Sequence, residues 1–587
     1  MARQTVLSAN LKERHVNMMA FTACVGFGLF LQSGIVINMA GPGVAVIAFA
    51  LACTIMWAIV GCVGEMTALF PIPGPLFEFP GRFLDESVGY ATGWLSWFAL
   101  TVTMAAQIMT ISRLFKFNFD PEYLRDVGYP DETLSWNTGG VSPAAWVFIF
   151  LIIIFAVNIL PVRIYGEVEY FFGTCKMLFI SGIIIFNVIV SAAQLVPHSS
   201  NFWTWNNPWG FSTDAFVLKV DSELKPTNAL TGDVGRLVGL WTGMTTVMFS
   251  LLGFETIAMT GPENKDLEKW ETIKMSSKKL VMRVSLLYCL ACFTGGLNVP
   301  YDDPYLIEAR WGSIQGGQNS LFVISAVRNR IRGLPQFLNG FFIFSCTSAA
   351  ISLVYNSSRL LHALASIPEA WPLWAQSWRR RLERTTSQGV PLATVTVSWS
   401  IGFLAFLSVQ PNSSLALGRM ATNATVSVLV VYSVICFSYI RFFHRLKRAA
   451  EDPSLENRSA FNREDPQYPY RTSGQLFRAV YGFVFCILLI LLNGWQAFLS
   501  PFAVEDFIVS YVGPVAFLIL ILFYHIKSDG WNPANWRWSA SMQIQRPPPK
   551  VVVSGRRRGK LVFPDQKELF TSDNGKSLLE WIWVWLK

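Results

Sequence analysis

Val25-Gly26-Phe27-Gly28 and Leu252-Gly253-Phe254-Glu255 are the stretches on which the fold turns. Each lies inside a long apolar run, the first at 15–39 and the second at 239–260. Glycine carries no Cβ, so a helix can open there and other groups can approach its bare backbone. An opened helix exposes peptide groups that hydrocarbon cannot satisfy, so such breaks survive in a bilayer only where protein or a wet cavity meets them. Interrupted spans at matching places in two halves of a chain point to the solute site of a secondary carrier.

The rest of the chain fits a membrane setting. Of its 587 residues, 52% are hydrophobic and 14% charged, and mean hydropathy is +0.39. Forty-six Phe and 22 Trp exceed what a soluble core of this size uses. Apolar runs of about 18 residues or more read as membrane helices, and about twelve are present. The first half holds 15–39, 43–69, 88–114, 143–160 and 170–193. The second half holds 239–260, 280–299, 338–364, 391–409 and 415–442, and the pair 479–499 and 507–525 closes the set. The expected fold class is therefore all-α and polytopic. It comprises a short segment 1–14, a transmembrane domain 15–526 and a polar tail 527–587. The run 15–39 is too long for a signal-peptide core and contains Gly-x-Gly, so it reads as a retained helix.

Charge gives an orientation. Net charge is +9, and in a membrane protein it belongs to cytoplasmic loops, not to a nucleic-acid partner. Basic residues follow the even-numbered spans: Lys274, Lys278, Lys279 and Arg283, then Arg379, Arg380, Arg381 and Arg384, then Arg441, Arg445, Lys447 and Arg448. With Lys12 and Arg14 ahead of span 1 and Arg556, Arg557 and Arg558 in the tail, they place both termini in the cytoplasm. Arg328, Arg330 and Arg332 fall on the outer side and break the rule. The outer stretch 120–140 is acidic, and 201–210 is aromatic in the manner of an interfacial belt. Asn412-Ser413-Ser414 is a glycosylation sequon in a very short outer loop.

Several chemistries are excluded. All nine cysteines sit in apolar spans, so no disulfide framework is implied. Cys289 and Cys292 lack the second pair a zinc site needs and read as small packing residues. There is no G-x-x-x-x-G-K-[ST] for a P-loop pump, and none of the five His is followed by Glu as H-E-x-x-H requires. Movement of a solute down or with a gradient is what remains. A half-helix N-terminus offers N–H groups to a carboxylate, and a half-helix C-terminus offers carbonyls to an ammonium or a metal ion. Val25, Gly26, Phe27, Gly28, Leu252, Gly253, Phe254 and Glu255 are the substrate-site candidates on that ground. Glu255 is a carboxylate inside a span, a functional candidate by default. It pairs with a substrate amine, holds the unwound turn, or acts as an inner gate, and with Lys176 it is a proton-coupling candidate. Gly235-x-x-x-Gly239-x-x-x-Gly243 presents a small-residue face suited to close packing on a neighbouring helix.

These residues also carry a resemblance. Gly26-Phe27-Gly28-Leu29-Phe30 with Ser33-Gly34, Gly64-Glu65 before Phe70-Pro71, and Phe249-Ser250-Leu251-Leu252-Gly253-Phe254-Glu255 resemble motifs of fungal-type amino acid permeases of the amino acid–polyamine–organocation superfamily. Val162-Arg163-Ile164-Tyr165-Gly166-Glu167, Asn298-Val299-Pro300-Tyr301-Asp302-Asp303-Pro304, Asn356-Ser357-Ser358-Arg359 and Gly389-Val390-Pro391 match as well. The resemblance implies two inverted five-helix repeats, 15–193 and 239–442, plus two further helices at 479–525. It implies import of amino acids by alternating access in the plasma membrane, driven by the proton gradient with no cofactor. Backbone around Gly26 and Gly28 would hold the substrate carboxylate, carbonyls near Leu252 and Gly253 its amino group, and Phe249 would gate it. Lys176 stands where relatives place a lysine whose ammonium substitutes for a sodium ion and whose protonation couples to helix movement. The competing reading is a lysine that snorkels to the interface. Trafficking and ubiquitination machinery are implied partners, although relatives carry a longer N-terminus with the relevant lysines.

Two departures bear on cargo. Gln107 stands where many relatives carry Glu, and Phe27 replaces a small polar residue between the glycines. Both changes favour a neutral amino acid, and Phe27 turned away from the site would weaken its part in that argument. A non-transporting sensor on the same scaffold, or a carrier of choline or polyamines, is the alternative.

Overall fold

The computed structural model describes residues 11–536, apart from 12, 71, 73, 194–209, 222–223, 261–270, 312–315, 369–370, 411–412, 453–460, 466–467, 469–470, 472–473, 500–501 and 533–535. The chain divides into units Met1–Met542 and Gln543–Lys587, and only the first is described. Four expectations lie outside the described residues: the aromatic stretch 201–209, the sequon Asn412, the side chains of Lys274, Lys278 and Lys279, and nearly all of the tail.

All twelve expected spans coincide with helices or helix pairs. The first is α1 (Glu13–Cys24) and α2 (Ser33–Ala40), joined by a wide turn at Gly28–Gln32 and bent by 40°. Then come α3 (Pro42–Leu69), α4 (Pro75–Phe83), α5 (Glu86–Leu114), α6 (Pro121–Val127), α7 (Pro143–Asn158) and α8 (Val162–Ala193). The second broken span is α9 (Gly232–Ser250) and α10 (Thr256–Met259). After it run α11 (Glu271–Gly296), α12 (Pro304–Trp311), α13 (Leu321–Arg328), α14 (Leu334–Ala365), α15 (Gln376–Leu382) and α16 (Leu392–Ser400). The set ends with α17 (Ser413–Glu451), α18 (Gln475–Leu492) and α19 (Val504–Asp529). Among the described residues, eight helices are long and apolar enough to cross a membrane, and the bent pair makes a ninth. Pro143–Asn158 and Leu280–Gly296 are shorter apolar helices.

Local chemistry sets the ends. Asp85 caps α5 by accepting from Ser87 N at 2.8 Å, and Ser142 caps α7 ahead of Pro143. Asp120 opens α6 and left-handed Gly128 closes it. Burial sorts centre from rim. The apolar window of α5 is 89% buried and that of α19 is 11% buried, so α5 is core and α19 borders lipid. Around that core α1 packs on α8, α11 and α14, and α3 packs on α9, α11 and α18.

The structure departs from the sequence reading in three places. An antiparallel hairpin, β1 (Ala215–Val220) with β2 (Pro226–Thr231), precedes α9 in the otherwise helical fold. Its alternation is too short to register as a span. Second, α8 begins eight residues before the expected start at 170 and gathers in Glu169, because charged first turns depress hydropathy without ending a helix. Third, span 9 tightens into a 3-10 helix over Ile401–Val409. The small-residue face of α9 does pack closely. A Cβ on Gly239 would lie 2.8 Å from Met39 O, and one on Gly243 3.2 Å from Val36 Cγ1.

The arginines that break the charge rule are bound to the protein. Arg328 Nη1 pairs with Asp303 at 2.8 Å, Arg330 Nε donates to Val127 O at 3.1 Å, and Arg332 Nε lies 3.3 Å from Asp131. Arg330 and Arg332 staple the loop after α13 onto the acidic stretch 120–140, and Arg328 ties α13 to Asp303 before α12. Burial pushes the Asp303 carboxyl up from its ordinary value, and Arg328 beside it pulls the other way.

Candidate functional site

The first break is held by its carbonyls. Helical bonding ends with Val25 N donating to Phe21 O at 3.1 Å. Lys176, fully buried on α8, donates through Nζ to Thr22 O at 2.9 Å and to Val25 O at 2.6 Å. Tyr288 of α11 donates to Cys24 O at 2.9 Å, and Ser345 of α14 donates to Val25 O at 3.2 Å. The ammonium is therefore docked at the break and does not snorkel to an interface. Three separate helices supply donors that a continuous helix would not need.

The donor side of this break meets α5 and α9. Phe27 N donates to Gln107 Oε1 at 3.2 Å. A Cβ on Gly26 would fall 2.3 Å from Gln107 Nε2, and one on Gly28 would fall 2.6 Å from Ser250 Cα. Both glycines permit close approach, and what approaches here is protein. Ser250 Oγ is buried and has no hydrogen-bond partner among the described residues. It faces Gly28. A buried hydroxyl of this kind is satisfied by a ligand or a water when one enters.

The second break is held by its own carboxylate. Leu252 N still donates to Phe249 O at 3.3 Å, and Gly253 then turns at φ +114°, where an L side chain is strained. Gly253 N donates to Glu255 Oε2 at 3.1 Å, and Tyr432 of α17 donates to the same oxygen at 2.7 Å. Glu255 thus ties down the freed amide. Phe254 and Glu255 line a small apolar cavity of about 10 Å³ beside Gly64 and Thr67, room for about one water. The breaks also touch each other. A Cβ on Gly253 would lie 2.8 Å from Ala23 C and 2.9 Å from Cys24 N.

Above the breaks lies a vestibule of about 630 Å³, lined by Gln32 at the end of the wide turn, Thr245 and Phe249 of α9, Arg310, and Arg419 and Thr425 of α17. Phe249 stands against Phe27, ring centroids 4.8 Å apart and planes at 44°. Phe27 therefore faces the junction of the breaks and does not turn away. Phe30 stacks on Phe342 at 4.6 Å, adding an apolar wall. In this conformation the vestibule reaches Phe249, as a gate over the breaks requires.

Three groups were given no role by the sequence reading. Glu169 on α8 is fully buried, and its Oε1 accepts from Ser352 at 2.9 Å and Tyr165 at 3.1 Å. Its spacing of seven residues from Lys176 would have revealed a shared face, had span 5 begun earlier. Tyr432 carried no local signal. Glu65 gathers four donor contacts: Arg463 Nε at 2.7 Å, Arg463 Nη2 at 3.1 Å, Tyr439 at 2.7 Å and Tyr468 at 3.0 Å. They join α3 to α17 and to the loop before α18, and no sequence spacing links residues so far apart.

Comparison with known proteins agrees with this architecture. The model of the family described as amino acid permease matches residues 15–537. The chain is 27% identical to a lysine/arginine permease of Candida albicans (strain SC5314 / ATCC MYA-2876), over 90% of this chain and 82% of the relative. It is 29% identical to a lysine-specific permease of Saccharomyces cerevisiae (strain ATCC 204508 / S288c), over 90% and 76%. A proline-specific permease of Emericella nidulans is 26% identical, over 91% and 86%. Two opened helices in contact, a buried lysine on the carbonyls of one, and a family match over nearly the whole length lead to one conclusion: this chain belongs to the amino acid permease family, and it is an integral membrane transporter and not an enzyme.

Proposed function

We propose that the chain is a proton-coupled symporter that imports neutral amino acids by alternating access. The observation that carries this reading is the meeting of the two breaks around Ser250, whose buried hydroxyl lacks a partner among the described residues. An amino acid seated there would offer its carboxylate to the amides around Gly26 and Gly28. Its ammonium would face carbonyls near Leu252 and Gly253. Binding the carboxylate requires Gln107 to release Phe27 N, so substrate and Gln107 compete for one donor. Phe249 closes over the site from the vestibule. Lys176 supplies the coupling: protonated, it fixes the first break through Thr22 O and Val25 O, and deprotonated it lets that break move.

Charge supports a neutral cargo. Gln107, Ser250, Phe27 and Phe249 around the breaks are uncharged, and the Glu255 oxygen nearest the break already accepts from Gly253 N and Tyr432. A second reading, cationic cargo, is favoured by relatives whose names specify lysine and arginine. Radiolabelled uptake in a permease-deficient cell, challenged with each unlabelled amino acid and with a protonophore, decides. Competition by apolar amino acids, with accumulation that collapses under the protonophore, is expected. Competition by lysine and arginine alone selects the second reading. Binding without accumulation points to a sensor.

A further inference from the structure

Glu169 is a buried carboxylate that the proposed cycle leaves idle, and its surroundings are unusual. Oε1 is held by Ser352 and Tyr165, whereas Oε2 is buried without a hydrogen-bond partner among the described residues. The Thr22 hydroxyl lies beside this carboxyl but gives its hydrogen to Met18 O. An acceptor oxygen whose nearest hydroxyl is committed elsewhere is positioned to take a proton.

Lys176 is where that proton would come from. Glu169 and Lys176 lie two turns apart on one face of α8, about 10 Å along the axis. Both face α1: the lysine grips Thr22 O and Val25 O, and the glutamate sits by the Thr22 hydroxyl. Glu169 is on the Val162 side of the lysine, the side that the basic loops assign to the cytoplasm. Beyond it, at the same helix end, half-exposed Glu167 contacts Arg14 and lies 3.2 Å from His15 Nε2. Other titratable groups around the pair are Cys24 and His15 on α1, Tyr288 on α11, and Tyr355, Cys346 and Arg359 on α14. Tyr288 is committed to Cys24 O, Tyr355 stacks on Tyr165 at 4.3 Å, and Arg359 lies over the Tyr355 ring at 3.7 Å.

We infer that Glu169 is the proton-release station of this permease, taking the proton from Lys176 and passing it toward the cytoplasmic end of α8. The inference rests on the proton-symport reading above. As the ammonium gives up its proton, its hold on Thr22 O and Val25 O weakens and the first break is released to move. One N–H bond breaks, an O–H bond forms at Glu169 Oε2, and a cation–carboxylate pair becomes a neutral amine–acid pair. The acid then loses its proton to cytoplasmic water, and the amine regains one from the vestibule side. One proton crosses per cycle.

The test uses E169Q in the full chain, expressed in a permease-deficient cell with surface abundance monitored and a radiolabelled amino acid mixture as probe. Gln retains an oxygen for Ser352 and Tyr165 but cannot carry the proton. Exchange of internal for external label should continue at the wild-type rate. Accumulation should fall about tenfold per pH unit of imposed gradient and lose its dependence on external pH. E169D should restore part of that dependence. An E169Q protein with wild-type accumulation and pH profile, beside a protonophore-sensitive wild type, overturns this inference alone. Loss of exchange along with accumulation overturns it too, because the residue is then structural. A wild type indifferent to the protonophore removes the symport reading and this one with it.

Discussion

The two helix breaks face the same problem and solve it with opposite chemistry. At the first, freed carbonyls are met from outside by a cation and two hydroxyls on α8, α11 and α14. At the second, a freed amide is met from within by Glu255, two residues along, with Tyr432 bracing the carboxylate. The first break cannot move without changing contacts to three other helices. The second keeps its main bond wherever it goes. On the proposed symport reading, proton coupling is therefore assigned to the first break and shape-keeping to the second.

Substitutions can break or sharpen that contrast. The largest effect is expected from Gly253→Ala. Its φ of +114° costs a side chain about 1–3 kcal/mol, and the new Cβ would sit 2.8 Å from Ala23 C. Uptake should fall to background with reduced surface protein, measured by tagged flow cytometry beside label uptake. Normal transport by this variant would mean that the breaks need not touch. Next comes Lys176→Ala, which leaves Thr22 O and Val25 O without their cation. Gradient-driven accumulation should drop about tenfold while surface abundance stays near normal. Full proton-driven accumulation would remove the coupling role.

Glu255→Gln should do less, because an amide oxygen still accepts from Tyr432 and Gly253 N. Exchanging a charged for a neutral acceptor weakens these bonds by about 1 kcal/mol, or about fivefold in accumulation. A wild-type value would confine Glu255 to tying the turn. Arg332→Ala should be smallest. Its partner Asp131 lies 3.3 Å away, the two side chains are 65% and 46% exposed, and such pairs contribute under about 1 kcal/mol. Unchanged uptake is expected, and a large loss would make the outer staple part of the cycle.

Much of this was legible in the chain. Hydropathy located all twelve spans, and glycine within them located both breaks, because each is a property of consecutive residues. Span edges were less legible. Charged residues in the first turns of α8 hid Glu169, although it shares a face with Lys176. The hairpin before α9 was invisible because its strands are only six residues each, too short to register as spans. Gln107 was singled out as standing where many relatives carry Glu, and it does accept from Phe27 N. That it occupies a donor expected for substrate could not be read from distance along the chain.

The sequence by itself determined a polytopic helical membrane protein with paired interruptions, since hydrocarbon imposes its rule on every run of residues separately. Only the tertiary structure decided what satisfies each opened turn. Lys176 reaches carbonyls more than 150 residues away, and Tyr432 reaches a carboxylate 177 residues away. Local pattern fixes where a backbone opens. Which distant side chain arrives there is set by how the helices pack.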